Sequence, residues 1–554
     1  MTTQMCDAFH ASGFWSDASI YTLTRDHATA NPEKVAVRDS HCALSYADLV
    51  KLADGIAADL RGHGLRPGDR VAAWLSNRVE TAAFLLACSR NRYVFCPSLH
   101  RNHTTEDVAR LLARVHAGGL VFEEDYGRSA APDAATGDDI ATQAAGLDSM
   151  RRIYRLPAPV PRDAVSVSNE LGLGAASDVP PSAAADDIVY LAFTSGTTGE
   201  PKGVMHSNNT LLANARALAA DWRFSADSVI YTLSPLSHNL GFGALVLALL
   251  VGGEIVLHDL GRGASLLRRL RETRATFLFG VPTHAADLLE EIEAAGRADL
   301  VALKGFRISG APASPAVVEK LLAYGIVPQS GYGMTEGCSH NYTLPNDDPA
   351  TIVGTSGRAC PGYEIGIFSM DDPDTLVPVG EVGQIGGRGA SLMLGYFDDQ
   401  RATENAFNGD GWFMTGDLGR LDEAGYLQIT GRLKDIIIRG GHNIHPARIE
   451  HLTMQYPGVE RAAAVPVKDE RLGEKVCVVV MTKDGAIVDP DELLAHLSAA
   501  GLSKFDMPEY FLAVKEIPLS ANGKILKRAL IPAIEAGTLK PMPVQWQGRA
   551  ESSH

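Results

Sequence analysis

The residues best suited to chemistry in this sequence stand in one short run, Leu191-Ala-Phe-Thr-Ser-Gly-Thr-Thr-Gly-Glu-Pro-Lys-Gly203. An apolar strand ends there in hydroxyls and glycines and terminates on Lys202. Polyphosphate binding asks for this arrangement. Glycines let the backbone approach oxygen anions and turn N–H groups inward, Ser and Thr hydroxyls add donors, and a lysine supplies charge. Thr194, Ser195, Gly196, Thr197, Thr198, Gly199 and Lys202 are therefore candidate phosphate contacts. The run is not the Walker loop, G-x-x-x-x-G-K-[ST], because Gly199 is followed by Glu200, Pro201 and Lys202. A Ser/Gly run of this composition also suits a flexible connector.

Such residues need rigid elements to hold them. Short β-rich pieces at Val35 to Val37 and Arg70 to Trp74 alternate with amphipathic stretches at Tyr46 to His63 and Glu80 to Arg90, which predicts layered α/β structure. The alternation resumes from Asp187 to Leu421. Strands are expected at Ile188 to Phe193, Val229 to Leu233, Glu254 to Leu257 and Phe277 to Phe279, with helices at Ala215 to Trp222 and Leu266 to Thr273. Between Gly127 and Asp187 the chain is rich in Ala, Asp, Pro and Ser, and reads as a partly mobile surface connection or, equally, as partly helical. Gly380 to Tyr396 and Gly425 to Thr430 predict a small β structure closing the large domain. From Lys434 to Ile534 the pattern is independent, as a separate small domain would be.

With 554 residues the chain is too long for one core. Its 50 Lys and Arg against 66 Asp and Glu leave a net charge of -16, which opposes non-specific binding to nucleic acid or anionic membrane. The seven cysteines form no C-x-x-C pair, arguing against a zinc site or disulfide framework and for a cytoplasmic protein. Met1 to Trp15 holds no Lys or Arg and does not resemble a signal peptide. The apolar run Ala244 to Gly253 is about half the length a membrane span needs and reads as a core element.

The string from Thr194 to Lys202 closely resembles the signature of the adenylate-forming superfamily: acyl-CoA synthetases, peptide-synthetase adenylation domains and luciferases. Further segments resemble the family's other motifs in order. Gly331-Tyr-Gly-Met-Thr-Glu336 resembles the nucleotide segment, which implies Tyr332 stacking on adenine beside Gly331, Gly333 and Met334, Thr335 on the α-phosphate, and Glu336 with Thr198 holding Mg2+. Ser309-Gly-Ala-Pro312 resembles the loop along the adenine and acyl pocket, implicating Gly310, Ala311 and Pro312. Thr415-Gly-Asp417 and Gly431-Arg-Leu-Lys434 resemble the ribose grip, with Asp417 and Arg432 on the hydroxyls and Lys434 as hinge. Arg439, Gly440 and Gly441 resemble the loop lining the CoA pantetheine tunnel, and Lys524 in Pro518 to Leu526 resembles the catalytic lysine.

The resemblance implies an α/β fold: a large N-terminal domain of layered α/β subdomains with a small β-barrel-like part, residues 1–433, then a small mobile α+β C-terminal domain, residues 434–554. It implies ATP-dependent activation of a carboxylic acid as acyl-AMP, then transfer to the CoA thiol. Ser234 to Gly243 resembles the segment beside the substrate carboxylate, with His238 as a catalytic candidate and His238, Asn239, Phe242, Gly243, Ala311, Gly331, Cys338 and His340 as the acyl pocket. No aspartate stands there to bind an α-ammonium group, which disfavours amino acids. A cyclic, aromatic or medium-chain acid fits, and Phe505 to Tyr510 is similar to bacterial cyclohexanecarboxylate-type CoA ligases. The His-Asn pair also resembles aryl-acid AMP ligases of the 2,3-dihydroxybenzoate or salicylate type, which load a carrier-protein thiol. A non-catalytic nucleotide-binding homologue is the alternative from another class; Lys524, Glu336 and the hydroxyl loop oppose it. A luciferase shares the adenylation step, without positive support here. Monomer and homodimer are both compatible.

Overall fold

A helix without a polar face must be covered on every side. Glu80–Asn91 is buried at every residue, and Asn239–Val251 is buried along most of its length. The computed structural model, which describes residues 3–127, 139–173, 180–194, 201–261, 263–296, 302–310, 313–440, 442–519 and 525–546, shows what covers them. Among these residues the helices share one hydrophobic core with strands from two sheets. The first sheet orders its nine strands as 358–359, 338–342, 327–334, 305–309, 277–280, 229–232, 254–257, 35–38 and 43–45. Its central strands are parallel, as sheets covered on both faces tend to be. The second sheet runs 395–396, 202–207, 188–194, 94–96, 70–74, 117–123 and 152–156.

The expected layered α/β architecture is present, with differences of physical interest. The helix expected from Ala215 starts earlier, as Asn208–Asp221, because Ser207 caps it on the Thr210 N–H. Its opening asparagines are buried and bonded: Asn208 Oδ1 accepts from the Ile20 N–H, and Asn209 Oδ1 from the Ser16 N–H. Buried amides satisfied in this way break the apolar periodicity that marks a helix. The described part of the stretch between Gly127 and Asp187 carries structure, in keeping with its partly helical reading and with the pattern at Arg152 to Leu156. It holds helices Ile140–Ala145 and Ala164–Glu170 and the strand Arg152–Leu156, which pairs parallel with Ala117–Glu123.

The chain forms two compact units, one of Met1–Ile365 with Gly387–Phe413, the other of Gly366–Gly386 with Met414–His554. The division expected at 433/434 therefore falls inside the second unit. Strand Leu427–Arg432 pairs with Phe413–Leu421 and packs on helix Pro446–Thr453. A four-stranded sheet of Tyr363–Phe368, Gly383–Gly389, Phe413–Leu421 and Leu427–Arg432 corresponds to the expected small β structure. The other sheet of this unit pairs Val459–Asp469 with Gly473–Thr482, which also pairs with Tyr510–Val514.

One buried ionic network fastens the 139–173 segment. Arg78 and Glu80 are fully buried, with Arg78 Nη2 2.7 Å and Arg162 Nη2 2.8 Å from Glu80 Oε1. Burial pushes the Glu80 carboxyl up, but the two guanidiniums, led by Arg78, outweigh it and hold the group below the usual range. Its contribution is thus present above the unfolded carboxylate pKa and lost as pH falls through the lower folded value. Glu80→Gln leaves two buried cations short of their counter-charge and should cost about 3–5 kcal/mol. Urea unfolding of the variant against the parent checks this, and Arg162→Met in the Glu80→Gln background should recover part of the loss.

Candidate active site

The hydroxyl run joins strands Ile188–Thr194 and Lys202–Ser207, which pair antiparallel with Thr194 opposite Lys202. The described residues thus hold both ends of a hairpin rather than a strand-to-helix turn. Ser195, Gly196, Thr197, Thr198 and Gly199 lie outside the described residues. Lys202 Nζ stands 4.6 Å from the centroid of the Tyr396 ring, and the Tyr396 hydroxyl donates to Glu336 Oε1 at 3.0 Å. Strand Gly395–Tyr396 is pinned beside the hairpin by pairing with Val204 and Met205. Burial raises the Tyr396 phenol well above its ordinary value, and the Glu336 charge adds to the rise, so the hydroxyl keeps its proton and remains a donor. Tyr396 was not among the residues singled out by sequence. It ends a Gly-rich run readable only as β structure.

The turn carrying Thr335 and Glu336 is held through its carbonyls. Asn239 Nδ2 donates to Met334 O at 3.4 Å, His206 Nε2 to Thr335 O at 2.7 Å, and the Met393 N–H to Glu336 O at 2.7 Å. Since a carbonyl only accepts, His206 Nε2 bears the proton, and burial holds this imidazole neutral with a pKa near about 4. Gly333 is required by crowding, because a Cβ there would stand 2.1 Å from Cys338 O. Tyr332 meets His340 edge-on at 5.0 Å, and His340 stacks on Tyr363 at 4.5 Å. That packing fixes the Tyr332 ring. Cys338 and His340 are themselves buried.

On the acid side, strand Val229–Thr232 leads to His238, which precedes helix Asn239–Val251. Ligands in open parallel sheets gather at such carboxyl ends. Asn239 and Gly243 are one turn apart on the helix, and a Cβ at Gly243 would meet open space. Phe242 is instead fully buried and stacks on Tyr190 at 4.1 Å, so it supports the helix from the core. The His238 ring lies face to face with His100 at 4.1 Å, and His100 Nδ1 is 3.1 Å from Ser237 Oγ. Burial, with neighbouring imidazoles adding to it, pushes His238 down to about 4 and His100 to about 2. His238 is therefore a neutral hydrogen-bonding group near pH 7. His100, 138 residues away in sequence, carried no local signal. Gly310 ends the described part of its loop with φ +95, while Ala311 and Pro312 lie outside the described residues.

The second unit groups the ribose candidates. Asp417 and Arg432 are register partners, with Arg432 Nε 3.0 Å from Asp417 Oδ1. Lys434 follows in the 3-10 turn Leu433–Asp435, where burial, then the Arg432 charge, lowers its pKa. Strand Ile437–Arg439 pairs with His442–Ile444, and Gly440, φ +56, follows the first of them. Arg439 holds Glu509 through Nε at 2.9 Å and Nη2 at 2.8 Å. Gly441 and Lys524 lie outside the described residues.

The donor set suits a hard cation. Among the described residues no group of three or more His, Cys, Asp and Glu could hold a metal. Glu336 is instead a single carboxylate joined through Tyr396 to Lys202, as fits Mg2+ held by one carboxylate, water and substrate phosphates.

Comparison with known proteins places these features. A family model described as "AMP-binding enzyme" matches residues 24–397, and "AMP-binding enzyme C-terminal domain" matches 448–524. The chain is 32% identical over 524 residues to the medium-chain fatty-acid–CoA ligase of Escherichia coli (strain K12), covering 94% of this chain and 91% of that protein. It is 33% identical over 506 residues to a feruloyl-CoA synthase of Amycolatopsis sp, covering 90% and 96%. The crystal structure of ATP-bound MatB from Rhodopseudomonas palustris superposes with a TM-score of 0.81 at 28% identity, covering 94% of this chain and 99% of that one. Paired strands on either side of the hydroxyl run and matches running nearly end to end have one common explanation: the chain belongs to the AMP-binding family of adenylate-forming enzymes.

Proposed function

We propose that this adenylate-forming enzyme is an ATP-dependent, AMP-forming acid–CoA ligase whose acid is cyclic, aromatic or of medium chain length. The observation that carries the reading is the continuity of the Met334–Glu336 turn. Asn239 of the acid side bonds to its first carbonyl, and Tyr396 of the phosphate side bonds to its last carboxylate. Two anions can thus be held next to each other on one rigid turn. The named activities of the fatty-acid and feruloyl relatives support the same reaction and the same span of acids.

In the first half-reaction a carboxylate oxygen attacks the α-phosphorus of ATP and pyrophosphate leaves. Lys202 and the hydroxyl run offset the repulsion between the anions, and Thr335 contacts the α-phosphate. Glu336, with Thr198, would hold Mg2+, which neutralises charge on the phosphate oxygens when bound. Neutral His238 and Asn239 orient the acid by hydrogen bonding, and Tyr332 lies against the adenine. Asp417 and Arg432 take the ribose hydroxyls. Lys524 stabilises the charge that develops as pyrophosphate departs. In the second half-reaction the CoA sulfur attacks the acyl carbonyl, and AMP leaves with the electron pair of the broken bond. Arg439, Gly440 and Gly441 line the thiol's path, and Lys434 is the hinge by which residues 434–554 serve each step in turn. The seven cysteines are all free, which supports a cytoplasmic placement.

A pyrophosphate-release screen over cyclic, aryl and linear acids, with and without CoA, tests the proposal. CoA-dependent thioester formation supports it, whereas acyl-AMP that accumulates and is discharged only by a carrier-protein thiol selects the aryl-acid reading. Lys524→Ala should slow adenylate formation by about 10²–10³-fold, in the range of a lost oxyanion donor, while leaving CoA attack on supplied acyl-AMP much less affected. Gly441→Leu should show the opposite split in the same two single-turnover assays. Tyr396→Phe keeps a ring for Lys202 but removes the phenol donor from Glu336 Oε1. Loss of one charge-assisted bond predicts about a 10–100-fold fall in kcat/KM for Mg·ATP, measured by pyrophosphate exchange at several Mg2+ concentrations.

A further inference from the structure

Arg307 is fully buried on strand Gly305–Ser309, and its guanidinium lies in a neighbourhood poor in acceptors. Nη1 donates to Gln329 Oε1 at 2.5 Å, and the group lies over the Tyr342 ring at 5.5 Å. Nε and Nη2 are buried without a hydrogen-bond partner, and so is Gln329 Nε2. Because the Gln329 oxygen already accepts from Arg307, its amide nitrogen is left as a donor. Among the described residues no carboxylate is in ion-pair reach of Arg307. Burial depresses the guanidinium only to about 10, so it is charged at neutral pH. A cationic donor array of this kind is costly, since buried charges are ordinarily paired and buried donors ordinarily bonded. What it lacks is an acceptor, best of all one with negative charge.

The array lies on the two strands that lead to Ser309–Gly310 and to Gly331–Glu336, two of the candidate site segments. Arg307 pairs in register with Gln329, and Ser309 with Gly331. The alternation of strand side chains puts all four on one face, at the carboxyl end of a parallel pair. Arg307 Nη2 approaches Gly331 so closely that a Cβ there would stand 2.7 Å from it. The next residue is Tyr332.

We propose that Arg307, with the Gln329 amide, forms the far end of the acid pocket and selects acids bearing a second oxygen acceptor, most strongly a second carboxylate, remote from the one that is activated. This rests on the acid–CoA ligase reading and names the substrate class within it. Helix Asn239–Val251, whose first turn carries the acyl-pocket candidates, holds only apolar residues after Asn239, so the preferred acid has an apolar middle and a polar far end.

The test compares matched acids by kcat/KM for pyrophosphate release with CoA: hexanedioate against heptanoate, and 4-carboxybenzoate against 4-methylbenzoate. The wild type should favour the diacid of at least one pair by about 10-fold or more, as one charge-assisted contact allows. Arg307→Met should erase or invert that ratio through KM, and Arg307→Lys should restore part of it. Thermal unfolding checks that each variant is folded; should Arg307→Met fail to fold, Gln329→Leu is read for the same loss of ratio. A wild type that prefers the methyl partner in both pairs, or a ratio unmoved in the folded variants, overturns the inference and leaves the donors to buried water. Absence of pyrophosphate release with every acid sinks the ligase reading and this inference together.

Discussion

The Tyr396 hydroxyl on Glu336, with Lys202 over the same ring, is the contact on which the rest of the site depends. A carboxylate placed near a triphosphate and a second acid is repelled by both. A protonated phenol gives Glu336 a donor without consuming the lysine's charge, and the π-face meets the ammonium while the ring's edge meets the anion. The pairing of Gly395–Tyr396 with Val204–Met205 makes this arrangement part of a sheet rather than of a loop. Each of the three carbonyls of the Met334–Glu336 turn is likewise bonded, so the Thr335 and Glu336 side chains project from a fixed backbone.

The imidazoles around this turn share one state. His206, His238 and His340 are all pushed to about 4 by burial, and His100 to about 2. An imidazolium at His238 would grip a carboxylate as an ion pair and resist its conversion to a neutral thioester. A neutral ring can orient the same group and let go of it. The interior that keeps water out also strengthens the charge that remains on Arg307.

Local motifs made the family legible, because Gly, Thr and Lys at fixed offsets carry its signature within a dozen residues. The parallel layers were legible from β/α alternation. Residues contributed singly by distant strands were not. Tyr396 meets Glu336 across 60 positions, and His206 meets the Thr335 carbonyl across 129. Neither bond leaves a trace in local pattern. Arg307 lies in an apolar strand where one charged residue reads as an interruption, and only its buried setting gives it meaning. The segment 139–173 was obscured in another way: its short elements gain stability from Arg162 on Glu80 and Arg152 on Asp59, which composition does not reveal.

The chain passes between its compact units after Ile365, Gly386 and Phe413. The second unit is therefore not a tail that can be cut off and exchanged in one piece. A graft joined at Lys434 would take helix Pro446–Thr453 from one parent and strand Leu427–Arg432, on which it packs, from the other. A recombinant joined there thus inherits a hybrid seam between strand Leu427–Arg432 and helix Pro446–Thr453. Evolution by swapping small domains is constrained to parents whose residues agree along that seam.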